Sequence, residues 1–419
     1  MKIKSILAAT VLTLAASPVF AGKSDVINNY ADIAHAAYED SLLTAMNLKH
    51  VISEFTANPS ASLLESAKAA YLSSRVPYQQ TEVFRFGNPI VDDWEGKVNA
   101  WPLDEGLIDY VDNSYGGASD ENPYAVLNVV ANSSFSLSGK NIDASSITPA
   151  LLENELHEAD EVESNVATGY HAIEFLLWGQ DLNGHGSGAG NRSWTDYALD
   201  GDCTNGNCDR RAEYLTAAVD LLVSDLTWIT DQWTANGDAR SNLLNDEDSG
   251  INAILTGMGS LSYGEQAGER MKLGVMLNDP EEEHDCFSDN THNSHFYDGL
   301  GIRNVYFGEY VRVNGDLVSG LSLSSLVAES SADVDAALRS DLNDTVIKLG
   351  LMKAAAEAGF KYDQMLERGN TAGERLIMDA VNALVQQTRS IERAVSALGI
   401  DAIEFEGSDS LDNPSAVFN

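Results

Sequence analysis

The sequence predicts an all-α protein made of two helical-bundle halves with long ordered loops between the helices. Helical periodicity recurs over long segments rich in alanine, leucine and glutamate, whereas strand patterns are few. Several of these segments exceed twenty residues, a length that suits antiparallel helix bundles. The predicted helices cover residues 25–57, 60–84, 149–179, 209–234, 246–277, 304–313, 333–356 and 371–398.

The connections between the predicted helices are long and divide the chain. Residues 87–117 and 179–202 contain many glycine, asparagine and aspartate residues, and residues 278–298 combine an acidic run with three histidines. Loops of this length in a compact domain commonly form or cover a site. Near residues 236–245 glycine and asparagine replace the periodic pattern. The predicted divisions are a signal peptide over 1–21, an N-terminal bundle over 22–240, a C-terminal bundle over 241–400 and an acidic tail over 401–419.

The first residues predict a secretory signal peptide. Lys2 and Lys4 precede an apolar run that ends in Val19-Phe20-Ala21, with small residues at both positions that determine cleavage. We therefore expect cleavage after Ala21 and, in a bacterium, which the short signal suggests, export to the periplasm. No later apolar run is long enough to span a bilayer.

The net charge of the chain argues against polyanionic partners. The formal net charge is −39, and removal of the two signal-peptide lysines leaves −41. Such a chain repels nucleic acid and anionic membranes. The remaining interpretations are a surface that attracts cations and an exterior that is acidic only for solubility.

The three cysteines fit an exported protein. Cys203 and Cys208 are separated only by Thr-Asn-Gly-Asn, a flexible sequence that allows a small disulfide ring. Cys286 is left over, and we expect it to be a buried, inert thiol.

The main candidate site is the motif Gly169-Tyr170-His171-Ala172-Ile173-Glu174. Three residues of α-helix advance ~4.5 Å and turn about 300°, so His171 and Glu174 project from one face. The predicted helix over 149–179 also aligns a polar stripe that leads to this pair, formed by His157, Glu161, Ser164, Thr168 and His171. An imidazole beside a carboxylate is half of a metal site. The alternative is a structural His–Glu hydrogen bond.

Further acidic groups are candidates to complete such a site. Glu82 and Arg85 share a helical face, and Asp104 follows a proline that could begin a helix. Glu265 and Glu269 are one turn apart, so both carboxylates can face one cavity. For Glu82, Arg85 and Asp104 the alternative is ion pairing at an interface. The histidines of the acidic loop, His284, His292 and His295, are expected at the surface or as helix caps.

Four ordered segments resemble one family of proteins. The GxHxxE motif at 169–174 resembles the signature of the imelysin-like family. The segments similar to its iron-regulated protein A branch are Trp101-Pro102-Leu103-Asp104-Glu105, Gly268-Glu269-Arg270-Met271 and His284-Asp285-Cys286-Phe287-Ser288-Asp289-Asn290-Thr291-His292.

This resemblance implies an all-helical fold of two bundle-like halves, with the GxHxxE helix facing a site between them. It also implies a bacterial cell-envelope protein associated with iron acquisition. The partners that it implies are iron or an iron-containing ligand and other envelope iron-uptake components. Some members carry the label of a metallopeptidase. The family residues that carry over are Gly169, His171 and Glu174, accompanied by Glu82, Asp104, Glu269 and Arg270.

The residues favour a metal-binding protein over a peptidase. Zinc-peptidase helices read HExxH or HxxEH, but Ala172 and Phe175 occupy the positions that would complete either pattern. His171 and Glu174, joined by distant carboxylates such as Glu82 or Glu269, would instead form a mixed nitrogen and oxygen site suited to iron, with zinc as the alternative metal. A bundle that is only structural, or that docks a partner, is a third possibility.

Overall fold

Helices dominate the computed structural model, which describes residues 22–119 and 122–418. The all-α prediction is confirmed. The predicted signal peptide over 1–21 lies outside the described residues. The helices are α1 (Lys23–Ala57), α2 (Ala61–Gln79), α3 (Pro89–Asn99), α4 (Glu105–Ile108), α5 (Pro149–Leu151), α6 (Gly169–Trp178), α7 (Cys208–Gln232), α8 (Asp238–Asn245), α9 (Glu247–Ser260), α10 (Leu273–Leu277), α11 (Thr291–Phe307), α12 (Leu323–Ser330), α13 (Ala332–Glu357), α14 (Tyr362–Leu366), α15 (Thr371–Ala397) and α16 (Asp409–Asp412).

Two short antiparallel hairpins interrupt the helices. The first pairs β1 (Ser134–Leu137) with β2 (Lys140–Asp143), and the second pairs β3 (Glu309–Val311) with β4 (Leu317–Ser319). Single turns of 3₁₀-helix cover Glu82–Phe84, Ala159–Glu161, Trp194–Tyr197, Asp200–Asp202, Pro280–Glu282 and Ala416–Phe418. Within the described ranges, no helix combines the length and apolar character needed to cross a membrane.

The large core spans both predicted halves of the chain. It includes an aromatic group on α1 and around it: the rings of Tyr30 and Phe84 are 5.0 Å apart, and those of Phe84 and Trp233 are 5.7 Å apart. A second core, with Met271, Met352 and Leu384, lies between α13, α14, α15 and the helical segment over Leu261–Lys272. The division of the chain at residue 240 stays a prediction.

A continuous helical rod contains a π-helical segment. Helix α9 continues into a π-helix over Leu261–Lys272 and then into α10. A π-helix closes its hydrogen bonds from residue i to i+5, so residues five apart come onto one face. Arg270 Nε accordingly donates to Glu265 Oε1 over 2.8 Å. An ordinary α-helix would turn these two side chains well apart.

The C-terminal segment packs against this π-helix. The Ser410 hydroxyl donates to the Gly268 carbonyl over 2.9 Å, and the Tyr263 hydroxyl donates to Asp412 over 2.7 Å. A Cβ on Gly264 would lie 2.5 Å from the Glu406 carbonyl oxygen. The absence of a side chain there lets the segment approach the helix backbone.

The predicted helix over 149–179 is wrong in its middle. Apart from the short turn over Ala159–Glu161, the regular parts are α5, a five-residue π-helical turn over Leu152–Leu156, and α6. Glu158, Asp160 and Glu161 have φ angles of +51°, +59° and +61°. A left-handed backbone cannot continue an α-helix. The polar stripe from His157 to His171 therefore does not exist.

The predicted helix over 304–313 is also misplaced. Helix α11 begins at Thr291 and ends at Phe307, where Gly308 has a φ angle of +66°. A left-handed glycine is the usual residue after a helix C-terminus. The chain then continues into β3, so the predicted helix falls partly on a hairpin.

Candidate metal centre

Helix α6 carries the GxHxxE motif and is seated on the end of α3. Gly169 begins the helix with a φ angle of +78°, and a Cβ there would lie 2.4 Å from the Val98 carbonyl oxygen. Both the backbone conformation and the close contact require glycine at this position. All ten residues of α6 are buried, so His171 and Glu174 point into the protein interior.

His171 and Glu174 are in direct contact. The His171 Nδ1 atom lies 3.1 Å from Glu174 Oε2, and both side chains are 0 % exposed. The Tyr71 hydroxyl donates to the same oxygen over 3.1 Å. The Ser288 backbone N–H and hydroxyl donate to Glu174 Oε1 over 2.9 and 2.6 Å. The carboxylate is thus held from α2, from α6 and from the segment before α11.

Burial sets the charge state of this pair. It lowers the pKa of His171 to about 3, and the Arg75 guanidinium acts in the same direction. The imidazole is therefore neutral at neutral pH, which is the form that binds metals. Burial raises the pKa of Glu174 to about 7, although the hydrogen bonds from Ser288 oppose this shift.

Asp285 is the third member of the cluster. One ligand atom from each of His171, Glu174 and Asp285 lies within 4.8 Å of the others. Arg75 Nε donates to Asp285 Oδ1 over 3.0 Å, which leaves Oδ2 without a hydrogen-bond partner among the described residues. His284, the preceding residue, places its ring 4.8 Å from the His171 ring. Burial lowers the pKa of His284 well below its usual range, so it too is neutral.

The unpartnered atoms of the cluster fit a bound cation. His171 Nε2 is buried and, like Asp285 Oδ2, accepts no hydrogen bond from the part of the chain that the structure describes. Buried polar atoms are normally satisfied, and an exception calls for an explanation. A neutral imidazole nitrogen and a carboxylate oxygen are ligands of iron and zinc. Because the Arg75 guanidinium is positively charged and lies close by, Asp285 and Glu174 must supply the negative charge that offsets a bound cation.

An acidic cleft of about 510 Å³ leads to His284 from the surface. Seven glutamates line it, Glu265, Glu269 and Glu281 among them, together with Arg85 and Arg270. Asn99 and Trp101 belong to its lining as well, and the Trp101 ring lies 5.0 Å from the His171 ring. The cleft therefore brings negative charge close to the cluster.

The other carboxylates predicted as ligands lie apart from this cluster. Glu82 is buried and accepts a hydrogen bond from Arg270 Nη2 over 2.7 Å; Arg270 also contacts Asp298, with Nη1 3.3 Å from Oδ2. Glu269 is exposed on the cleft wall. Among the described residues, neither joins the group formed by His171, Glu174 and Asp285.

The predicted supporting residues have separate structural contacts. Arg85 Nε donates to Asp92 over 2.9 Å and Arg85 Nη1 lies 3.5 Å from Glu95. Asp104 accepts hydrogen bonds from the Tyr115 and Ser164 hydroxyls over 3.0 and 2.6 Å, which fastens the loop after α4. Cys203 and Cys208 form a disulfide bond, and Cys286 is a buried free thiol.

Sequence reasoning missed Asp285, His284 and Ser288 as members of the site. The predicted surface position of His284 is wrong, because the side chain is 3 % exposed; His292 and His295 are buried as well. An acidic loop sequence normally indicates exposure to solvent, so the burial of these residues could not be recognised from the sequence. The available signal was the family resemblance of the segment from His284 to His292.

Comparisons with known proteins agree with this architecture. The imelysin family model, which is named as a peptidase family, matches residues 34–391. The crystal structure of an iron-regulated protein A precursor from Parabacteroides distasonis superposes with a TM-score of 0.64 at 17 % identity, covering 91 % of this chain and 97 % of that one. The structure of an imelysin-like protein from Psychrobacter arcticum gives a TM-score of 0.55 at 16 % identity, covering 93 % and 99 %. At these identities the two structures support the fold alone. No curated protein sequence matches the chain.

Proposed function

Because the chain belongs to the imelysin family, we propose that it binds iron, or an iron-containing ligand, in the periplasm as a component of iron uptake. In this proposal His171 and Asp285 bind the metal, and Glu174 orients His171 and supplies negative charge. His171 and Glu174 come from the predicted N-terminal half and Asp285 from the predicted C-terminal half, in keeping with a site between the two.

The observation that carries this proposal is the buried, neutral His171, whose Nε2 has no hydrogen-bond partner among the described residues. With its proton on Nδ1, the imidazole donates to Glu174 and directs Nε2 at a ligand; a carboxylate behind a metal-bound histidine typically fixes the ring in this way. Asp285 Oδ2 is the nearby carboxylate oxygen that remains free to bind. A mixed nitrogen and oxygen set suits iron, and zinc is the alternative.

Three further observations support an exported iron-binding protein. The first residues have the pattern of a signal peptide, with predicted cleavage after Ala21. The acidic cleft above His284 favours the approach of cations. One similar structure is named as an iron-regulated protein A precursor. Other cell-envelope iron-uptake proteins are the expected partners within this proposal.

A metallopeptidase is the second candidate function. The name of the family favours it, and a pKa of about 7 for Glu174 suits a general base. However, His171 and Glu174 are both 0 % exposed, so a peptide cannot reach them without a rearrangement of the surrounding helices. Under this proposal the mature protein cleaves a denatured substrate in a chelator-sensitive way; inactivity with zinc, iron and manganese would count against it.

The iron proposal is tested by anaerobic Fe²⁺ titration of the mature protein, followed by calorimetry, with Zn²⁺ in parallel. We expect His171→Ala and Asp285→Asn to abolish binding. Glu174→Gln should weaken it about 10- to 100-fold, as for other residues that orient a metal-bound histidine. The matched control is His50→Ala, because the His50 side chain is 69 % exposed on α1.

Two outcomes separate the alternatives in this experiment. Retained Fe²⁺ binding in both His171→Ala and Asp285→Asn would refute the assignment of the site. If the wild-type protein binds neither metal and the variants change only the melting temperature, the His171–Glu174 pair is a structural brace in a helical bundle. Circular dichroism of each variant shows whether the helical fold persists.

A further inference from the structure

A second acidic cluster lies apart from the His171 cluster. One ligand atom from each of Asp181, Asp289 and Asp363 lies within 4.8 Å of the others. The three residues come from separate segments: the loop after α6, the segment before α11, and α14. Three carboxylates that converge from distant parts of a chain repel one another unless a proton or a cation compensates them.

A buried and unpartnered glutamate adjoins this cluster. Glu283 is 0 % exposed, and neither of its carboxylate oxygens has a hydrogen-bond partner among the described residues. Its side chain directly neighbours that of Asp363. An ionised carboxylate that is buried without a partner is strongly disfavoured unless it loses its charge or binds a cation. Glu283 therefore places a further buried carboxylate against Asp363, in addition to the three aspartates.

Two of the aspartates also have carboxylate oxygens that accept no hydrogen bond from the described residues. Asp363 Oδ2 and Asp289 Oδ1 are buried and unpartnered within the described part of the chain. The second oxygen of Asp289 accepts the Gly188 backbone N–H over 3.1 Å, and Asp181 Oδ1 accepts the Asn183 backbone N–H over 2.9 Å. Loop donors thus orient Asp181 and Asp289 through one oxygen each, and the other oxygens remain available.

The chemistry of the donors selects the class of cation. All four side chains offer only carboxylate oxygens, the ligands of hard cations such as Ca²⁺ and Mg²⁺. Ca²⁺ lies about 2.3–2.6 Å from its ligands, so oxygens on opposite sides of the ion are at most ~5 Å apart, in agreement with the spacing of the three aspartates. Mg²⁺ dehydrates reluctantly and seldom occupies a cage made only of protein groups. The site therefore fits Ca²⁺ better.

We propose that Asp181, Asp289 and Asp363, with Glu283 beside Asp363, bind a divalent cation of the calcium class. The ion fastens the loop after α6 and the short helix α14 to the segment over 283–290. This segment also carries His284, Asp285 and Ser288, which belong to the His171 cluster. The cation is thus a structural brace behind that cluster, and its binding does not depend on iron.

The test uses the full mature chain, stripped with a chelator and titrated with CaCl₂. Calorimetry should show one Ca²⁺ bound per chain, with a rise in melting temperature. Asp363→Asn and Glu283→Gln each remove one charge at nearly constant volume and should weaken binding at least tenfold. Glu367→Gln is the matched control, because Glu367 is an exposed carboxylate just beyond α14. His171→Ala should bind Ca²⁺ like the wild type.

Melting temperatures measured without calcium provide a second test, which applies even if a variant binds Ca²⁺ weakly because of a general loss of structure. In chelator, Asp363→Asn should melt at a higher temperature than the wild type, because one uncompensated charge is gone. With saturating Ca²⁺ the order should reverse. A wild type that neither binds Ca²⁺ nor gains stability from it would overturn the proposal and identify the cluster as carboxyls that share protons. Unchanged binding in both variants would also overturn it.

Discussion

Replacing Gly169 with alanine tests how the site helix is seated on α3. An alanine there keeps a φ angle of +78°, and left-handed backbone costs a non-glycine residue about 1–2 kcal/mol. Its Cβ would also lie 2.4 Å from the Val98 carbonyl oxygen and 2.6 Å from the carbonyl carbon. Overpacking of this kind costs about 1–3 kcal/mol. The smaller entropy of the unfolded chain returns about 0.4–1 kcal/mol, so the net loss is about 2–4 kcal/mol.

A second glycine separates the cost of the left-handed backbone from the cost of the Cβ contact with Val98. Gly139 turns the first hairpin with a φ angle of +74°, and a Cβ there would meet no described atom within 4 Å. Gly139→Ala therefore carries the backbone strain without the collision, and we expect a loss of about 1 kcal/mol. The difference between the variants measures the contact of Gly169 with Val98.

Urea denaturation followed by circular dichroism measures both losses in one buffer with chelator. The midpoint should fall much further for Gly169→Ala than for Gly139→Ala, with the slope unchanged. Equal losses in the two variants would show that the contact with Val98 relaxes freely. The account of why the motif begins with glycine would then be wrong.

Three further predictions concern charge, covalent and ionic contacts. The folded-state pKa of Glu174 is raised from 4.5 to about 7, so its protonation favours folding below pH 4.5 and this advantage is lost as the pH rises through 7. As the pH rises from 5 to 8 in the presence of chelator, the free energy of unfolding of Glu174→Gln should increase by up to about 3 kcal/mol relative to that of the wild type. A difference that does not change with pH would contradict a buried, weakly acidic carboxyl. Replacing Cys203 and Cys208 with serine should remove about 2 kcal/mol, the value for so short a ring, and wild type in reductant should melt like the variant. Asp109→Ala leaves the fully buried Arg211 without its ion-pair partner and should cost about 3–5 kcal/mol in urea denaturation. Asp379→Ala removes a carboxylate whose side chain is 46 % exposed and should cost less than about 0.5 kcal/mol; similar losses would refute the contrast.

The fold was predictable where local periodicity decides the structure. Helices α1, α7, α13 and α15 begin and end within two residues of the predicted bounds, because each has a long repeat of apolar positions that must be buried. The error over 157–168 has a different origin. Its polar residues have a helical spacing, but nothing local reveals the left-handed backbone at three acidic positions.

The candidate site was predictable only in its local part. His171 and Glu174 are three residues apart on one helix, so their contact follows from helix geometry alone. Ser288 is 114 residues away from Glu174, and Asp285 comes from the same distant segment. A single sequence does not reveal which residues, so far apart along the chain, lie close together in space. The acidic residues around His284 suggested a solvated loop, although tertiary packing buries it.

Under the proposed function, the cleft that His284 lines has a consequence for which iron species reach the site. Seven glutamates against two arginines produce a negative potential that focuses towards the cleft floor. Hydrated Fe²⁺ is steered inwards, and its association rate should fall steeply as ionic strength rises. Anionic chelates of iron are repelled by the same potential. If the protein binds iron as proposed, charge selection at the entrance favours free cationic iron and requires anionic carriers to release their metal outside.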